Sequence, residues 1–263
     1  MQDNKHKTAL ITGASSGIGL ELAKLHAQNG DDLVLVARRK EKLQELQAEL
    51  EEKYDITVTL LVKDLAQESA AREIYDEVHA KNIEIDYLIN NAGFGGHGKF
   101  HEREWAKDAA MIQVNVTVLT ALTRFFLDDM VKRDSGRILN VASTAGFLPG
   151  PLQAVYYATK AFVVSFSEAL AEELSDTNIS VSALCPGPTE SEFAKTGDLE
   201  ETNLFKQKTA SAHDVAKHGF DAMMKGKVVA FDRPFFGFAL RRILPLMPRK
   251  MVLKGSRQVM EQN

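Results

Sequence analysis

Short apolar runs alternate with longer helical patterns along most of this sequence. The apolar runs predict strands at residues 8–12, 33–36, 58–62, 85–89, 137–142, 179–184 and 228–231. Strands that alternate with helices in this way form parallel sheets that are covered on both faces. We therefore expect an α/β protein with a single-domain Rossmann fold, in which a doubly wound, seven-stranded parallel sheet carries helices on both faces.

Helical periodicity fills the intervals between these strands, because apolar residues there recur every three or four positions. The predicted helices cover residues 18–29, 43–54, 67–80, 111–133 and 155–174. No repeat or Pro/Ser-rich linker divides the series, so residues 1–232 are predicted to form one catalytic domain. Residues 190–212 are polar and weakly patterned, and they follow a strand, so we expect them to form a substrate loop.

Charge and cysteine content exclude several functions. The chain has 36 acidic and 32 basic residues, which gives a formal net charge of −4 and argues against a nucleic-acid partner. The lone cysteine, Cys185, cannot form an intrachain disulfide and fits a reducing compartment. The N-terminus lacks the apolar run of a signal peptide, and no stretch reaches the roughly 18 uninterrupted apolar residues of a membrane span. We therefore expect a cytoplasmic protein.

A glycine-rich turn is predicted between the first strand and the first helix. Its sequence is Thr12-Gly13-Ala14-Ser15-Ser16-Gly17-Ile18-Gly19. Glycine allows the backbone to approach a ligand closely, and the N-terminus of the following helix offers free N–H groups to a pyrophosphate. Tight packing alone would also explain such glycines, but their place after the first strand of a βαβ series favours nucleotide binding.

The end of the second strand bears on the choice of cofactor. An acidic residue there accepts hydrogen bonds from the adenosine ribose of NAD, whereas a basic residue favours the 2′-phosphate of NADP. The sequence at this point is Val36-Ala37-Arg38-Arg39, which contains no acid. We assign the phosphate to Arg38. The alternative is a solvated arginine that opens a charged helix.

Three polar residues suggest a catalytic group. Tyr156 and Lys160 are four residues apart and so share one face of a predicted helix, while Ser143 follows a predicted strand. A lysine ammonium near a phenol lowers the pKa of the tyrosine, which suits a general acid/base that works near neutral pH. Tyr157 is the competing tyrosine, but it lacks the four-residue spacing to Lys160.

A metal site is the weaker alternative for the polar residues that remain. His97 and His101 stand four residues apart near Glu102 and Glu104, but the sequence offers no convincing third ligand. We therefore expect no metal ion.

In order and spacing, these motifs resemble those of the classical short-chain dehydrogenases/reductases. The resemblance covers about residues 6–232, and its motifs are the glycine-rich turn, Asp64, Asn90-Asn91-Ala92-Gly93, Asn115, Ser143, Tyr156, Lys160 and Pro186-Gly187-Pro188-Thr189-Glu190-Ser191. It implies an NADP-dependent oxidoreductase that transfers hydride between the nicotinamide and a carbonyl or secondary alcohol. It also implies a homodimer or homotetramer.

The resemblance implies a role for each matching residue. Tyr156 would donate or accept the proton, Ser143 would polarise the carbonyl, Lys160 would hold the nicotinamide ribose, and Asn115 would support the proton relay. The residues implied to border the cofactor are Asp64 and Leu65 at the adenine, Asn91, Ala92 and Gly93 after the fourth strand, and Pro186, Gly187, Thr189 and Ser191 near the carboxamide. The family usually has threonine at position 191, and serine keeps the hydroxyl. Arg38 matches the NADP-preferring members.

Two other functions stay open at this point. One is an NADP(H)-binding sensor or scaffold without turnover, although such a protein has no need of a catalytic tyrosine. The other is an NAD-linked alcohol or steroid dehydrogenase. No residue pattern names a substrate, but Phe147, Leu148 and Leu152 suggest an apolar one.

Residues 233–263 extend beyond the resemblance and form a basic, apolar extension. Between residues 233 and 257 there are seven Lys and Arg and no Asp or Glu, so this segment carries a formal charge of +7 and the rest of the chain −11. Pro245 and Pro248 are predicted to break it into two short helices. We favour an arm or lid that packs over the substrate cleft or a neighbouring subunit, because the body is acidic. The alternative is an anionic membrane surface.

Overall fold

The computed structural model describes residues 6–206 and 208–262. The strands of this part of the chain consist mainly of apolar, often β-branched residues, which favour the extended backbone. They are β1 (Thr8–Thr12), β2 (Asp32–Ala37), β3 (Val58–Val62), β4 (Tyr87–Asn90), β5 (Gly136–Val141), β6 (Ile179–Leu184) and β7 (Val229–Ala230).

These strands form one parallel, seven-stranded sheet in the order β3-β2-β1-β4-β5-β6-β7. The order of connection reverses between β1 and β4, and in such folds ligands bind there, outside the carboxyl ends of the strands. Ile11 of β1 lies beside Ile89 of β4, so the segments that follow these two strands emerge next to each other. The predicted Rossmann-type fold is confirmed.

Helices cover both faces of the sheet. They are α1 (Gly17–Gln28), α2 (Lys40–Lys53), α3 (Ala70–Ala80), α4 (Trp105–Ile112), α5 (Leu119–Arg133), α6 (Ala154–Glu173), the short α7 (Phe193–Thr196) and α8 (Ala212–Met224). Successive strand residues point to opposite faces, so Ile11 packs with α1, α2 and α8 while Leu10 packs with α3 and α5. The core is therefore two apolar layers with the sheet between them.

Several element ends differ from the predicted ones. The fourth strand begins at Tyr87, although Ile85 is also buried, because burial of an apolar run does not by itself define strand pairing. The last strand contains only Val229–Ala230 instead of residues 228–231. Residues 190–212 follow β6 as predicted and contain the four-residue helix α7.

The long helix predicted at residues 111–133 begins earlier, at Trp105. A π-helical segment, Gln113–Val118, joins α4 to α5 in one continuous helix. Among the helices that the structure describes, this is the one with the length and composition to cross a bilayer, with a hydropathy of 1.4 in its most apolar window. Its residues Val118, Leu122 and Phe126 are buried against the sheet, so packing within the fold accounts for the apolar residues on that side of the helix.

The C-terminal arm is the segment 233–262. It runs from β7 through α9 (Pro234–Phe238), a π-helical segment (Ala239–Ile243) and a 3-10 turn (Leu244–Leu246) to α10 (Arg249–Met260). The two helical stretches separate at Pro248, as the prolines predict. Two contacts join the arm to the body. His97 Nε2 lies 2.8 Å from the carbonyl oxygen of Met260, and Ser256 Oγ donates a hydrogen bond of 2.7 Å to the carbonyl of Pro149.

Candidate active site

The glycine-rich turn is held by the loop that follows β4. Gly13 and Gly17 have φ angles of +69° and +55°, a backbone conformation that favours glycine. The side-chain amide of Asn91 donates a hydrogen bond of 2.9 Å to the carbonyl of Thr12, and Thr12 Oγ1 accepts one of 3.0 Å from the main-chain N–H of Asn91. A Cβ at Gly19 would lie 2.4 Å from Asn91 Nδ2, so glycine is required for this contact.

The N-terminus of α1 completes this turn. Ser16 precedes the helix, and its side chain makes no capping hydrogen bond to the helix. The first N–H groups of α1 therefore remain available to a phosphate, and the helix dipole favours a negative charge at the same place. This geometry fits the nucleotide-binding role predicted for Ser15, Ser16, Gly17 and Ile18.

The π-helical segment places Asn115 beneath the loop after β4. The Asn115 side chain is fully buried; its Oδ1 accepts a hydrogen bond of 3.1 Å from the N–H of Phe94, and its Nδ2 donates to the carbonyl of Phe94 at 3.0 Å and to Thr159 Oγ1 at 3.1 Å. Asn115 thus fixes the loop after β4 to helix α6.

Lys160 extends from α6 toward Gly93. Its Nζ donates a hydrogen bond of 2.8 Å to the carbonyl of Val141 at the end of β5. A Cβ at Gly93 would lie 3.1 Å from Asn115 Oδ1 and 3.3 Å from Lys160 Nζ. Glycine at this position therefore leaves open the space that borders both polar groups, as a nicotinamide cofactor would require.

Ser143 and Tyr156 complete the cluster. Ser143 follows β5, where its Oγ accepts a hydrogen bond of 3.1 Å from the N–H of Ala145 and lies 3.4 Å from the carbonyl of Pro186. It also lies close enough to Tyr156, whose side chain is largely buried, to act on the pKa of the tyrosine. The structure thus brings together the four predicted catalytic residues, Asn115, Ser143, Tyr156 and Lys160, at the carboxyl end of the sheet.

The pKa of Tyr156 does not follow the sequence-based expectation. Burial raises this pKa well above its usual value, and the nearby Ser143 hydroxyl opposes the shift only in part. Lys160 does not offset the effect, because its Nζ is bonded to Val141 and lies 5.8 Å from the centre of the tyrosine ring. Burial also lowers the pKa of Lys160 to about 8. The predicted lowering of the tyrosine pKa is therefore wrong for this structure.

The loop after β6 closes over the glycine-rich turn. The N–H of Gly187 donates a hydrogen bond of 3.1 Å to Asp232 Oδ1, and Thr189 Oγ1 donates one of 3.0 Å to the carbonyl of Gly187. A Cβ at Gly17 would lie 3.0 Å from the Cβ of Ser191. The predicted carboxamide-binding hydroxyls and the predicted phosphate-binding turn therefore lie close together.

Arg39, and not Arg38, contacts the glycine-rich turn. The Arg39 guanidinium donates hydrogen bonds of 3.1 Å to the carbonyl and the hydroxyl of Ser15, and it forms an ion pair of 2.8 Å with Glu192. Arg38 is exposed and bonds to none of the residues in the described ranges. Sequence reasoning missed Arg39 because its acidic partner lies 153 positions away.

The remaining predicted residues are in different surroundings. Asp64 is exposed at the end of β3, where its carboxylate accepts a hydrogen bond of 3.1 Å from the N–H of Ala66, while Leu65 is buried in the core. His97 contacts the arm, whereas His101 is exposed beside Glu102. Within residues 6–206 and 208–262, no three His, Cys, Asp or Glu side chains are placed to hold a metal ion.

Tyr156 belongs to a cluster of apolar side chains. They come from the loops after β4, β5 and β6 and from the arm: Phe94, Leu148, Leu152, Phe193, Leu199, Leu204, Phe205 and Met260. Gln153, at the start of α6, is buried nearby, and its Nε2 has no hydrogen-bond partner in the described structure. Sequence reasoning did not single out Gln153, because a glutamine before a helix carries no functional signal of its own.

A family model for short chain dehydrogenases matches residues 7–202. The chain therefore belongs to the short-chain dehydrogenase family, whose members are oxidoreductases that use nicotinamide cofactors. The very-long-chain 3-oxoacyl-CoA reductase of Homo sapiens is 33% identical over 197 residues, which are 71% of this chain and 61% of that protein. An NADP-dependent 3-hydroxy acid dehydrogenase of Schizosaccharomyces pombe is 36% identical over 209 residues, which are 76% and 80% of the two chains.

Solved structures share the fold. A short-chain dehydrogenase of Sphingobium yanoikuyae, solved in complex with NADPH, is 29% identical and has a TM-score of 0.81, with 92% of this chain and 97% of that chain covered. The chain spans less than two-thirds of the length of the human reductase and of the first other curated relatives that it matches.

Proposed function

We propose that the protein is an NADP-dependent oxidoreductase that transfers hydride between the nicotinamide and a carbonyl or secondary alcohol, with residues 1–232 as its catalytic domain. The observation that carries this proposal is the placement of Asn115, Ser143, Tyr156 and Lys160 at the carboxyl end of the sheet, where Asn115 and Lys160 border the space that glycine leaves at position 93. A sensor or scaffold that only binds the cofactor would gain nothing from a buried tyrosine beside a serine at this place.

Each side chain has a task that its surroundings support. When bound, the cofactor supplies or accepts the hydride. The raised pKa of Tyr156 keeps its phenol protonated, which suits the proton donor for reduction of a carbonyl. Ser143 holds the reacting oxygen beside that phenol, Lys160 binds the nicotinamide ribose, and Asn115 keeps the loop after β4 in position.

The preference for NADP is supported by the end of β2. Arg38 follows the strand with its guanidinium exposed, and no acidic residue stands there to bind the ribose of NAD or repel a phosphate. Asp64 and Leu65 lie at the end of β3, the next strand in the sheet, where the adenine is expected. The Schizosaccharomyces pombe relative is named as NADP-dependent, which agrees with this preference.

We propose an apolar carbonyl or alcohol as the substrate. Tyr156 packs in an apolar cluster, and the Nε2 donor of Gln153 nearby is buried with no partner among the residues that the structure describes. A buried donor is stabilised by an acceptor, so a substrate with a second oxygen near the reacting carbon fits best. Two of the relatives are named for 3-oxoacyl and 3-hydroxy acid substrates, and both kinds of compound meet this requirement.

We also propose a cytoplasmic homodimer or homotetramer. Exposed apolar side chains on the outer faces of α4 and α6, among them Ile112 and Phe162, form a groove that a second copy would cover. The lone, buried Cys185 suits a reducing compartment.

The test is a substrate screen with saturating NADPH. Oxidation of NADPH is measured at its absorbance maximum against 3-oxoacyl thioesters, diketones, aldehydes and quinones, with the Tyr156→Phe variant as the control for each compound. Turnover that disappears in the variant supports the proposal. Tight NADPH binding with no turnover for any compound class would favour the sensor, and equal rates with NADH would favour the NAD-linked dehydrogenase.

A further inference from the structure

The C-terminal arm has one face on the body and another that nothing in the described chain covers. Leu240, Val252 and Met260 are buried against the body. On the outer side, Phe235 is 84% exposed and Leu246 is 85% exposed. Further exposed apolar side chains on the arm are Phe236, Phe238, Ile243, Met247, Met251 and Leu253. Large apolar side chains exposed in one contiguous segment mark an interaction surface.

The arm also carries an excess of positive charge. Three of its seven cations are paired within the chain, since Arg233 meets Asp232, Arg241 meets Glu168 and Arg257 meets Glu261. The others form no ion pair with the residues that the structure describes; they are Arg242, Arg249, Lys250 and Lys254. These four cations lie among the exposed apolar side chains, with no acidic residue between them.

We propose that this outer face of the arm binds an anionic lipid surface. Short helices with exposed aromatic and aliphatic side chains beside Lys and Arg lie in the plane of a membrane interface, where lipid headgroups meet the cations and acyl chains meet the apolar residues. A second copy of the chain fits this face less well. Lysine is depleted in protein–protein interfaces, and the acidic residues nearest to the arm are already paired with its other cations.

The inner face of the arm contacts segments that border the active site. Met260 packs in the apolar cluster that contains Tyr156 and Tyr157, and Ser256 is bonded to the loop after β5. A membrane-bound arm would therefore hold the apolar side of the active site near the bilayer, which is where an apolar substrate is concentrated. Docking on the body and binding to a membrane are thus compatible in this structure, because they use opposite faces of the arm.

The first test is co-sedimentation of the full chain with phosphatidylcholine vesicles that contain or lack phosphatidylglycerol. We expect binding to the anionic vesicles only, and less of it at high salt. Phe235→Ser/Leu246→Ser and Lys250→Glu/Lys254→Glu should each weaken binding about tenfold or more. All four side chains are exposed, so the variants should fold. The matched controls, Val62→Ser/Val131→Ser and Lys42→Glu/Lys53→Glu, change exposed residues away from the arm and should bind like the unchanged protein.

The second test uses the single tryptophan of the chain, Trp105. Brominated lipids quench only a tryptophan that enters the bilayer. We expect no quenching of Trp105 in the unchanged protein, and strong quenching in a Trp105→Phe/Phe235→Trp variant. Both readouts are independent of catalysis, so a failure of the proposed enzymatic function would leave them unaffected.

Two outcomes would overturn the proposal. One is equal binding to neutral and anionic vesicles, or no binding to either. The other is a change from oligomer to monomer in light scattering when Phe235 and Leu246 are replaced, since the arm would then be covered by a second copy of the chain.

Discussion

Glu192, in the loop after β6, forms an ion pair of 2.8 Å with Arg39 at the end of β2. Because Arg39 also bonds to Ser15, the pair fastens this loop to the glycine-rich turn. The hydrogen bond from Arg39 lowers the pKa of Glu192, so the carboxylate is charged at neutral pH. Both side chains are largely exposed, and pairs of this kind contribute only about 0–1 kcal/mol to stability.

The Glu192→Gln variant should bind NADPH more tightly. Its amide leaves Arg39 free to meet the 2′-phosphate and removes a negative charge from the same region. We expect about fivefold tighter NADPH binding, equivalent to about 1 kcal/mol, with little change for NADH. Calorimetric titration with both cofactors measures this. Glu190→Gln, two positions earlier, is the control. Equal gains in affinity for the two cofactors would show that Arg39 does not contact the 2′-phosphate.

Arg38 is expected to set the preference for NADPH over NADH. The unchanged protein should bind NADPH at least tenfold more tightly than NADH, equivalent to about 1.4 kcal/mol. Arg38→Asp should remove most of this preference, because the phosphate loses a cation and meets a carboxylate. Lys53→Asp, at the far end of α2, makes the same charge change and should leave the preference intact. Equal dissociation constants for the two cofactors in the unchanged protein would contradict the prediction.

Tyr156→Phe removes the proposed proton donor with almost no change in volume. General acid/base groups contribute about 10²–10⁴-fold to rates, so kcat should fall by at least about a hundredfold while NADPH still binds. Tyr157→Phe is the control. Its hydroxyl lies beside Ser256 of the arm, so its loss should affect arm packing more than turnover. Equal losses of kcat in the two variants would mean that the wrong tyrosine has been assigned.

Burial of Lys160 should make stability depend on pH. Its pKa is lowered to about 8 from 10.5, so above pH 8 the unfolded chain holds a proton that the folded protein has released. The free energy of unfolding should therefore rise with pH, by up to about 1.4 kcal/mol per unit. Cys185 acts in the opposite direction above pH 9.0, because burial raises its pKa to about 12.

The interval from pH 8 to pH 9 therefore isolates Lys160. Urea unfolding across this interval should give a rising free energy for the unchanged protein and a flat one for Lys160→Met. The same slope in both proteins would show that Lys160 keeps its ordinary pKa in the folded state.

Replacement by alanine should be harmful at one glycine and stabilising at another. At Gly19 a Cβ would lie 2.4 Å from Asn91 Nδ2 and from the carbonyl of Gly13, so Gly19→Ala should displace the glycine-rich turn and weaken NADPH binding. At Gly255, within α10, a Cβ meets nothing within 4 Å, and alanine should stabilise the helix by about 0.5–1 kcal/mol. Thermal unfolding and NADPH titration of both variants test this contrast.

The sheet and the catalytic cluster could be predicted because their signals are local. Apolar runs bounded by glycine identified the strands, and the spacing of Tyr156 and Lys160 on one helix identified the reacting side chains. The predicted strand at residues 85–89 was shifted because Ile85 is buried for a reason other than strand pairing.

Contacts between distant segments could not be predicted in the same way. Nothing near Arg39 indicates that Glu192 will meet it, and nothing near His97 indicates a contact with Met260. The direction of the Tyr156 pKa shift could not be predicted for a related reason. The spacing places a lysine nearby, but it does not reveal the burial that dominates the pKa shift of the tyrosine. It also does not reveal that the lysine ammonium donates its hydrogen bond to the carbonyl of Val141.

The π-helical segment Gln113–Val118 makes the long helix sensitive to chain length as well as to residue type. A π-turn holds one residue more than an α-turn, so it accommodates an extra residue while the α-helices on either side keep their faces. Loss of a residue from the segment would restore a plain α-helix, in which the flanking helices keep their faces but the side chains of the segment itself change direction. With Leu122 still seated in the core, Asn115 would turn away from Phe94 and Thr159. Substitution of the exposed Thr117 should thus be tolerated, whereas a one-codon deletion in the same turn would displace Asn115.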